Sequence, residues 1–215
     1  MRCKNCGKKF RGKVCPNCAD DTQADKISGI TKEGIKWEQL DCGDGIVIAG
    51  CKKKISNLII PDIIESKKVV AIKRFAFDGC GFIRRVVIPQ GVKRIESAAF
   101  MGCKNLTSVV LPSGLNRIGG LAFGGCKKLT SVVIPEGVKD IGGLAFSGCK
   151  HLINVIIPKS VENIAAYAFD MCDKLTIFYC NNDVSTDSLD KWDSNWNFAQ
   201  RPVIQLFEEI KLKQI

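Results

Sequence analysis

The chain repeats the same pattern every 23 residues. Proline recurs at Pro89, Pro112, Pro135 and Pro158, and the same spacing of 23 separates five phenylalanines and five cysteines. These residues are Phe77, Phe100, Phe123, Phe146 and Phe169, and Cys80, Cys103, Cys126, Cys149 and Cys172. A short fixed period indicates one small unit stacked on copies of itself, because each copy buries its apolar face against its neighbours. The period therefore predicts a solenoid rather than a globular domain with one enclosed pocket.

Apolar residues occupy fixed positions within each unit. In the segment LTSVVI, Leu129, Val132 and Ile134 have the L-x-x-V-x-I spacing of a leucine-rich-repeat strand, whose inward side chains stack from unit to unit. The proline that follows ends the strand, because it cannot donate the next ladder hydrogen bond. A second, shorter alternating segment ends at Ile141. The predicted fold class is a repeat solenoid of leucine-rich-repeat type, in the α/β horseshoe class, made mostly of short β-strands and turns.

Four cysteines lie within the first twenty residues, as the pairs Cys3/Cys6 and Cys15/Cys18 with eight residues between the pairs. Two C-x2-C pairs supply the four thiolates of a tetrahedral structural zinc site. The alternatives are two chance pairs or a redox dithiol, and the redox motif expects a βαβ context that is not present. The segment also resembles the short zinc-ribbon module at the N-terminus of many bacterial and archaeal proteins. We therefore predict one structural Zn²⁺ bound by Cys3, Cys6, Cys15 and Cys18.

The sequence divides into five predicted segments. They are a zinc ribbon (1–20), a linker (21–33), an N-terminal β cap (34–68), the 23-residue repeats (69–180) and a C-terminal cap and tail (181–215). The linker is polar and of mixed charge, without a sustained apolar period. The cap alternates like a strand region but is out of phase with the repeats, because Pro61 and Pro89 are 28 residues apart. A cap is expected at this place because the first repeat would otherwise expose its core.

The repeat I-x-x-x-A-F-x-G-C-x-x-L-x-x-V-x-I-P resembles the BspA-like leucine-rich repeat family. The segment after the repeats, with Trp192, Trp196 and Asn197, is similar to the tryptophan-containing closing segment of that family. The resemblance covers about residues 34–207 and departs locally, for example at Met171, which replaces the repeat glycine. It implies a protein-binding or adhesive role, and members of the family tend to be secreted or surface-attached.

One outward residue lies between the inward apolar residues of each predicted main strand. Aligned by the period of 23, these residues are Val87, Val110, Val133, Ile156 and Tyr179, and Arg85 lies beside the first of them. An exposed apolar stripe of this length is typical of a contact surface. The other interpretations are that β-branched residues simply favour strands, or that another segment of the chain covers the stripe. We expect a non-catalytic scaffold, adaptor or adhesin-like module that binds a protein partner through these six residues.

The positive charge is concentrated at the N-terminus. Of the formal net charge of +10, residues 1–18 contribute +6, because they hold six basic residues and no acid. The alternative function is therefore a nucleic-acid-associated protein that binds phosphate backbones through the zinc ribbon. The phosphate-binding candidates are Lys4, Lys8, Lys9, Arg11 and Lys13. Binding of this kind weakens steeply as salt rises.

No constellation of catalytic residues is evident in the sequence. His151 is the single histidine and aligns with Asn105 and Lys128, so it occupies an exposed turn position and completes no Ser/His/Asp or Cys/His set. The repeat cysteines are interpreted as small buried apolar residues rather than as a metal or disulfide column. We expect that the protein is not an enzyme and has no small-molecule substrate.

The sequence also predicts a location. No apolar run approaches the ~20 residues that cross a bilayer, and the N-terminus lacks the apolar stretch of a secretory signal. Twelve cysteines in such a chain favour a reducing compartment. We therefore expect a cytoplasmic protein without a transmembrane segment. The alternative is a surface or secreted protein exported by a non-standard route.

Overall fold

The computed structural model describes residues 27–40, 45–180, 192–197 and 200–206. These residues form short β-strands joined by turns, and they contain no helix. The strands are β1 (Ser28–Ile30), β2 (Ile35–Gln39), β3 (Gly45–Cys51), β4 (Asn57–Ile59), β5 (Ile63–Ile64), β6 (Lys67–Ile72), β7 (Arg85–Val87), β8 (Arg94–Ile95), β9 (Ser108–Val110), β10 (Arg117–Ile118), β11 (Ser131–Val133), β12 (Asp140–Ile141), β13 (Asn154–Ile157), β14 (Asn163–Ile164), β15 (Thr176–Cys180) and β16 (Val203–Leu206).

Each repeat contributes one strand to each of two parallel ladders. The main strands are β4, β7, β9, β11, β13 and β15, and the short strands are β6, β8, β10, β12 and β14. Equivalent residues pair one repeat apart, as Arg85 does with Ser108 and Arg94 with Arg117. The predicted solenoid of leucine-rich-repeat type is therefore confirmed, with about six turns.

The main strands form two sheets rather than one. The sheets are β4-β7-β9 and β11-β13-β15-β16, and no ladder pairs β9 with β11. At this interruption Val109 and Leu111 are only half-buried, whereas Val132 in the next repeat is 2% exposed. Both repeats carry the same LTSVV segment. The interruption is therefore not encoded by the strand residues alone.

The N-terminal cap begins earlier than the sequence predicts. The prediction of a linker over residues 21–33 is wrong for Ser28–Ile30, because this strand pairs antiparallel with β2. The indole of Trp37 lies against Gly29, where an added Cβ would come within 2.6 Å of the ring. Glycine admits this close approach because it has no side chain. This strand was not predicted because three residues are too few to show an apolar period. Residues 21–26 of the predicted linker lie outside the described residues.

The extra residues between Pro61 and Pro89 form a hairpin. Strands β5 and β6 pair antiparallel, and Glu65 and Ser66 between them both have positive φ, at 48° and 62°. Two consecutive residues with positive φ are the mark of a type I′ hairpin turn. The hairpin absorbs the phase shift, so that β6 enters the short-strand ladder in register with β8.

Five phenylalanines form a stack along the centre of the solenoid. Phe77, Phe100, Phe123, Phe146 and Phe169 are all buried, with ring centroids separated by 5.0, 5.4, 5.3 and 5.6 Å along the series. This spacing is close to the ~4.8 Å between paired strands, so the stack follows from the backbone repeat. Each buried phenylalanine contributes roughly 1.5–3 kcal/mol relative to an exposed one.

Tryptophan closes the far end of the phenylalanine stack. The ring of Trp196 meets Phe169 edge-on at 6.4 Å, and Trp192 lies between Trp196 at 4.8 Å and Tyr179 at 5.1 Å. The backbone of this segment continues the repeat hydrogen bonds, since Tyr167 N–H donates to the Asn195 carbonyl. The segment with Trp192 and Trp196 therefore covers the last repeat.

The repeat cysteines form a second internal column. The thiols of Cys103, Cys126, Cys149 and Cys172 are buried and each donates to a phenylalanine carbonyl of the preceding repeat, at 3.1–3.3 Å. A small polarizable side chain fits the narrow space, and its weak donor satisfies a buried carbonyl. Cys80, in the first repeat, is only half-buried.

No helix in the described part of the chain is long and apolar enough to span a membrane.

Candidate functional site

The outward side of the main strands carries a line of apolar side chains that we call the main-strand column. Its residues, in order along the solenoid, are Ile59, Val87, Val110, Val133, Ile156, Phe178 and Ile204. Their exposure reaches 49% at Val110, 58% at Val133 and 69% at Ile59. Seven residues at a strand spacing of ~4.8 Å make a stripe about 29 Å long. Exposed apolar stripes of this length are typical of contact surfaces.

Five of the six residues predicted to bind a partner lie on this face. Val87, Val110, Val133 and Ile156 are in the main-strand column, and Arg85 is exposed on the same strand as Val87. Ile156 is half-buried, so the column is most exposed near its middle and at Ile59. The described residues leave the column uncovered, and the stripe therefore faces solvent in the described part of the chain.

The sixth predicted residue, Tyr179, does not face outward. It is 4% exposed and packs against Trp192, and the residue that pairs with Ile156 is Phe178. The prediction counted 23 residues from Ile156, but the interval between the last two repeat strands is one residue shorter, so Asn154 pairs with Thr176. A shift of one residue reverses the two faces of a strand. Phe178 therefore replaces Tyr179 in the column.

Sequence reasoning missed the two ends of the main-strand column. Ile59 lies in the segment LIIP, which matches the IP strand of the repeats, so an alignment on that proline would have found it. Ile204 belongs to β16, which pairs parallel with β15 and adds a strand after the last repeat. No repeat motif marks β16, and its position depends on the contact with β15.

Basic side chains border the main-strand face in the middle repeats. The segments that lead from each repeat cysteine into β9, β11 and β13 hold Lys104, Lys127, Lys128 and Lys150, all exposed, and no acidic residue. Exposed charges of one sign raise the local potential and attract groups of the opposite sign. The face thus combines an apolar stripe with a positive border.

A second exposed apolar line, the corner column, was not predicted. Its members precede the Ala-Phe pair of each repeat and are Phe75, Leu121, Leu144 and Tyr167, with the buried Ala98 between the first two. All five positions have positive φ, between 57° and 59°. The left-handed conformation costs a non-glycine residue roughly 1–2 kcal/mol. The corner residues also recur every 23 positions in the sequence. The prediction relied on alternating apolar and polar residues, and that pattern identifies strands but not corners.

The short-strand face is polar, and several of its charges form ion pairs. Arg94 Nε donates to Glu96 Oε1 at 3.0 Å, and Lys73 Nζ bonds Glu38. His151 lies at an exposed turn, as predicted, with Nδ1 2.8 Å from the Lys127 carbonyl oxygen. Asn105 makes the equivalent contact to Gly81 in an earlier repeat, which gives this position a structural role. Within the described ranges, no group of three or more His, Cys, Asp or Glu residues could hold a metal ion.

The thiols of Cys103 and Cys126 are poor nucleophiles. Burial raises the pKa of Cys126 to about 12. At Cys103, burial and the neighbouring Cys126 and Cys80 also raise the thiol pKa. The thiolate is the reactive form of cysteine, so these side chains remain neutral and inert at neutral pH. Their arrangement supports a packing role for the column rather than catalysis.

The other predicted sites lie outside the described residues. These are the zinc ligands Cys3, Cys6, Cys15 and Cys18 and the phosphate-binding candidates Lys4, Lys8, Lys9, Arg11 and Lys13. Both the zinc site and the phosphate-binding segment remain predictions from the sequence.

Solved structures with the same architecture come from several bacteria. A leucine rich cell surface protein from Faecalibacterium prausnitzii is 29% identical with a TM-score of 0.66, over 76% of this chain and 41% of that one. The leucine rich repeat protein of T. pallidum is 26% identical with a TM-score of 0.54, over 84% of this chain and 94% of that one. The chain thus spans about two fifths of the length of the F. prausnitzii protein.

A more distant structure shares the fold alone. The pneumococcal vaccine antigen PcpA is 16% identical with a TM-score of 0.56, over 81% of this chain and 48% of that one. No curated protein matches the sequence. Leucine-rich repeat proteins of this kind are generally interaction modules rather than enzymes, which agrees at a coarse level with the exposed stripe described above.

The family model for the BspA type leucine rich repeat region matches residues 70–189 in six copies. This match spans more than half of the 215 residues and contains the phenylalanine stack, the cysteine column and most of the main-strand column. The chain therefore belongs to the BspA type leucine-rich repeat family.

Proposed function

We propose that this protein is a binding module that holds an apolar, acidic protein segment along its main-strand face. The observation that carries the proposal is the main-strand column, seven apolar residues in line and exposed by up to 69%. The positive border formed by Lys104, Lys127, Lys128 and Lys150 favours an acidic partner. Family membership and the fold support protein interaction in general. The role is that of a scaffold, adaptor or adhesin-like protein.

A pair of matched variants tests the face. Val110→Asp with Val133→Asp places two carboxylates in the centre of the stripe, on side chains that are 49% and 58% exposed. Leu121→Asp with Leu144→Asp places two carboxylates on the corner column at the same repeat spacing. A variant with a photo-crosslinkable residue in place of Arg117, on the short-strand side, measures how much protein from the lysate is captured non-specifically.

The expected result separates the two columns. A protein captured from lysate of the source cells is purified and titrated against each variant. Its affinity falls at least tenfold for the main-strand variant and stays within twofold for the corner variant, because only the first loses apolar contact. Binding that weakens with salt supports the acidic character of the partner. Equal affinity for the wild type and the main-strand variant, or loss only with the corner variant, contradicts the proposal.

The N-terminal zinc site is a separate proposal. Four cysteines in two C-x2-C pairs support it. Elemental analysis of freshly purified full-length chain is expected to give about one zinc per molecule, and Cys3→Ser with Cys6→Ser is expected to remove it. Less than half an equivalent in the wild type contradicts the site.

The cytoplasmic location also stays a prediction, and labelling of intact cells with an impermeant reagent would test it.

A further inference from the structure

The corner column carries no charge at its centre. Leu121 and Leu144 are both exposed there, and the segments around them, residues 118–126 and 141–149, contain no charged residue. The middle of a contact surface between proteins is depleted of charge, whereas its rim is polar. The centre of the corner column therefore has the composition of an interface core.

Glycine keeps the surface low beside these two leucines. Gly120 and Gly143 directly precede them, and a Cβ built on Gly142 would come within 2.4 Å of the Gly120 backbone nitrogen. Consecutive corners thus pack backbone against backbone. Another molecule can approach such a surface closely, because glycine has no side chain to hold it away.

The two leucines also occupy a strained conformation. Leu121 and Leu144 have φ of 57° and 59°, which costs a residue other than glycine roughly 1–2 kcal/mol. Glycine takes the positive-φ position of Gly125 and Gly148 in the same turns. A strained backbone that presents an exposed apolar side chain is typical of a contact site.

The first corner ends the column with positive charge. Arg74 is exposed, and its guanidinium lies 4.8 Å from the centre of the Phe75 ring. The adjacent Lys73 is paired with Glu38 at 2.6 Å. Arg74 therefore gives this side of the first corner a net positive charge.

The opposite end of the column carries negative charge on the same side. Asp193 N–H donates to the Ile164 carbonyl, as Ala165 N–H donates to the Ile141 carbonyl one repeat earlier. Asp193 thus takes the place that Lys73 has in the first corner, and its side chain is exposed. A column with opposite charges at its two ends complements a second copy of itself in the inverted direction.

The shape of the column is also self-complementary. The corner positions in order are Phe75, Ala98, Leu121, Leu144, Tyr167 and Trp196. Inversion about the midpoint of these six places Leu121 against Leu144 and Tyr167 against Ala98. Ala98 is buried between larger neighbours and forms a notch, whereas Tyr167 is exposed. A large side chain thus meets the notch twice, once from each copy.

We propose that two copies of this chain associate through their corner columns in an antiparallel twofold dimer. In each copy Leu121 packs against the partner's Leu144, and Arg74 approaches the partner's Asp193. The contact is narrow and about 24 Å long, below the ~1,200 Å² of a standard interface, so the dimer is weak and reversible. The main-strand column lies on other strands and stays free, so the dimer presents two such faces.

Sedimentation velocity of the full chain in reducing buffer tests the dimer. The sedimentation coefficient of the wild type is expected to rise with concentration up to about 500 µM, the range in which weak interfaces form. Leu121→Asp with Leu144→Asp is expected to remain monomeric throughout. Val110→Asp with Val133→Asp adds the same two carboxylates to the main-strand column and is expected to associate like the wild type.

A charge reversal tests the antiparallel arrangement. Arg74→Glu places like charges together at both ends of the contact, so the dissociation constant of the dimer is expected to rise at least threefold at low salt and less at high salt. Arg84→Glu makes the same change in net charge at an exposed turn outside the corner and is expected to leave the constant unchanged.

Three results overturn the dimer. They are a wild type that stays monomeric at the highest concentration, a corner variant that associates like the wild type, and a main-strand variant that loses association equally. If circular dichroism shows that the corner variant does not fold, the charge reversal decides. An equal effect of Arg74→Glu and Arg84→Glu then overturns the proposal.

Discussion

At the scale of single residues, the repeat maintains a strained backbone position in every turn. Leu144 has φ of +59° and is 36% exposed, and equivalent residues at the other corners share this conformation. The backbone is held there by a hydrogen bond from Leu144 N–H to the Ala166 carbonyl of the next repeat. The strain is therefore offset by the ladder that joins consecutive corners.

This strain predicts an unusual order of two substitutions. Leu144→Gly and Leu144→Ala remove the same contacts, but only glycine adopts the left-handed conformation without cost. The glycine variant is expected to be more stable than the alanine variant by about 1 kcal/mol, measured by urea unfolding. At Ser131, on an extended strand, the opposite order is expected, because glycine weakens a strand interior. Alanine more stable at both positions contradicts the strain.

The buried thiols predict how stability changes with alkaline pH. Burial raises the pKa of Cys126 to about 12, above the value of about 8.5 in an unfolded chain. Below pH 8.5 the thiol is neutral in both the folded and the unfolded chain, so its contribution to stability is fully present. Above pH 8.5 the unfolded chain loses the thiol proton first, and the contribution is lost as pH rises toward 12. Between those limits each such thiol lowers the free energy of unfolding by about 1.4 kcal/mol per pH unit.

A single variant isolates that contribution. Cys126→Ala removes one titrating thiol and keeps a small apolar side chain in the column. Between pH 9 and pH 11, the free energy of unfolding of the wild type is expected to fall more steeply than that of the variant, by about 1.4 kcal/mol per pH unit. Parallel pH profiles would show that Cys126 titrates equally in the folded and unfolded chain.

At the scale of elements, the register of the last main strand decides which face each residue occupies. In β15, Tyr179 is buried against Trp192, and Phe178 is half-exposed beside Ile156. Tyr179→Asp places a carboxylate in the closed end of the core, which is expected to cost several kcal/mol of stability. Phe178→Asp is expected to cost about 1 kcal/mol or less. Urea unfolding measures both, and a larger loss for Phe178→Asp would support the register counted from the period.

The period of 23 was sufficient to predict the solenoid and its inward residues. Leu129, Val132 and Ile134 are buried as predicted, because each must fill the same space in every repeat. The period failed where the chain leaves it. Relative to the other repeats, one residue is missing between Leu175 and Ile177, so Tyr179 lies on the inward face instead of the outward face. The alternation of apolar residues at Ile177 and Tyr179 indicates this register, whereas counting by 23 does not.

The candidate face was predicted in its centre and missed at its ends. Val87, Val110 and Val133 follow the repeat, so counting places them correctly. Ile204 belongs to a strand that exists because β15 offers it an edge, and no local pattern reports such a contact. The strand Ser28–Ile30 was missed for the same reason, since its partner β2 supplies the pairing.

At the scale of the whole molecule, the repeats behave as a stack in which each turn contacts only its neighbours. Stability in such a stack is a sum of repeat terms and neighbour terms, so a repeat can be removed without loss of the fold. Deleting residues 111–133 joins Val110 directly to Ile134 and recreates the SVVIP sequence of an intact repeat. It also removes the place where β9 and β11 are not paired.

The shortened chain is expected to fold into a solenoid with one turn fewer. Its circular dichroism spectrum should keep the β-strand signal. The slope of its free energy of unfolding against urea concentration should fall by about one sixth, because the surface exposed on unfolding falls with the number of turns. Deleting residues 111–132 instead leaves one extra residue in the fused strand. That residue turns Ile134 outward and Pro135 inward, so this control should be far less stable. Equal stability of the two deletions would mean that the repeats are not held by their strand register.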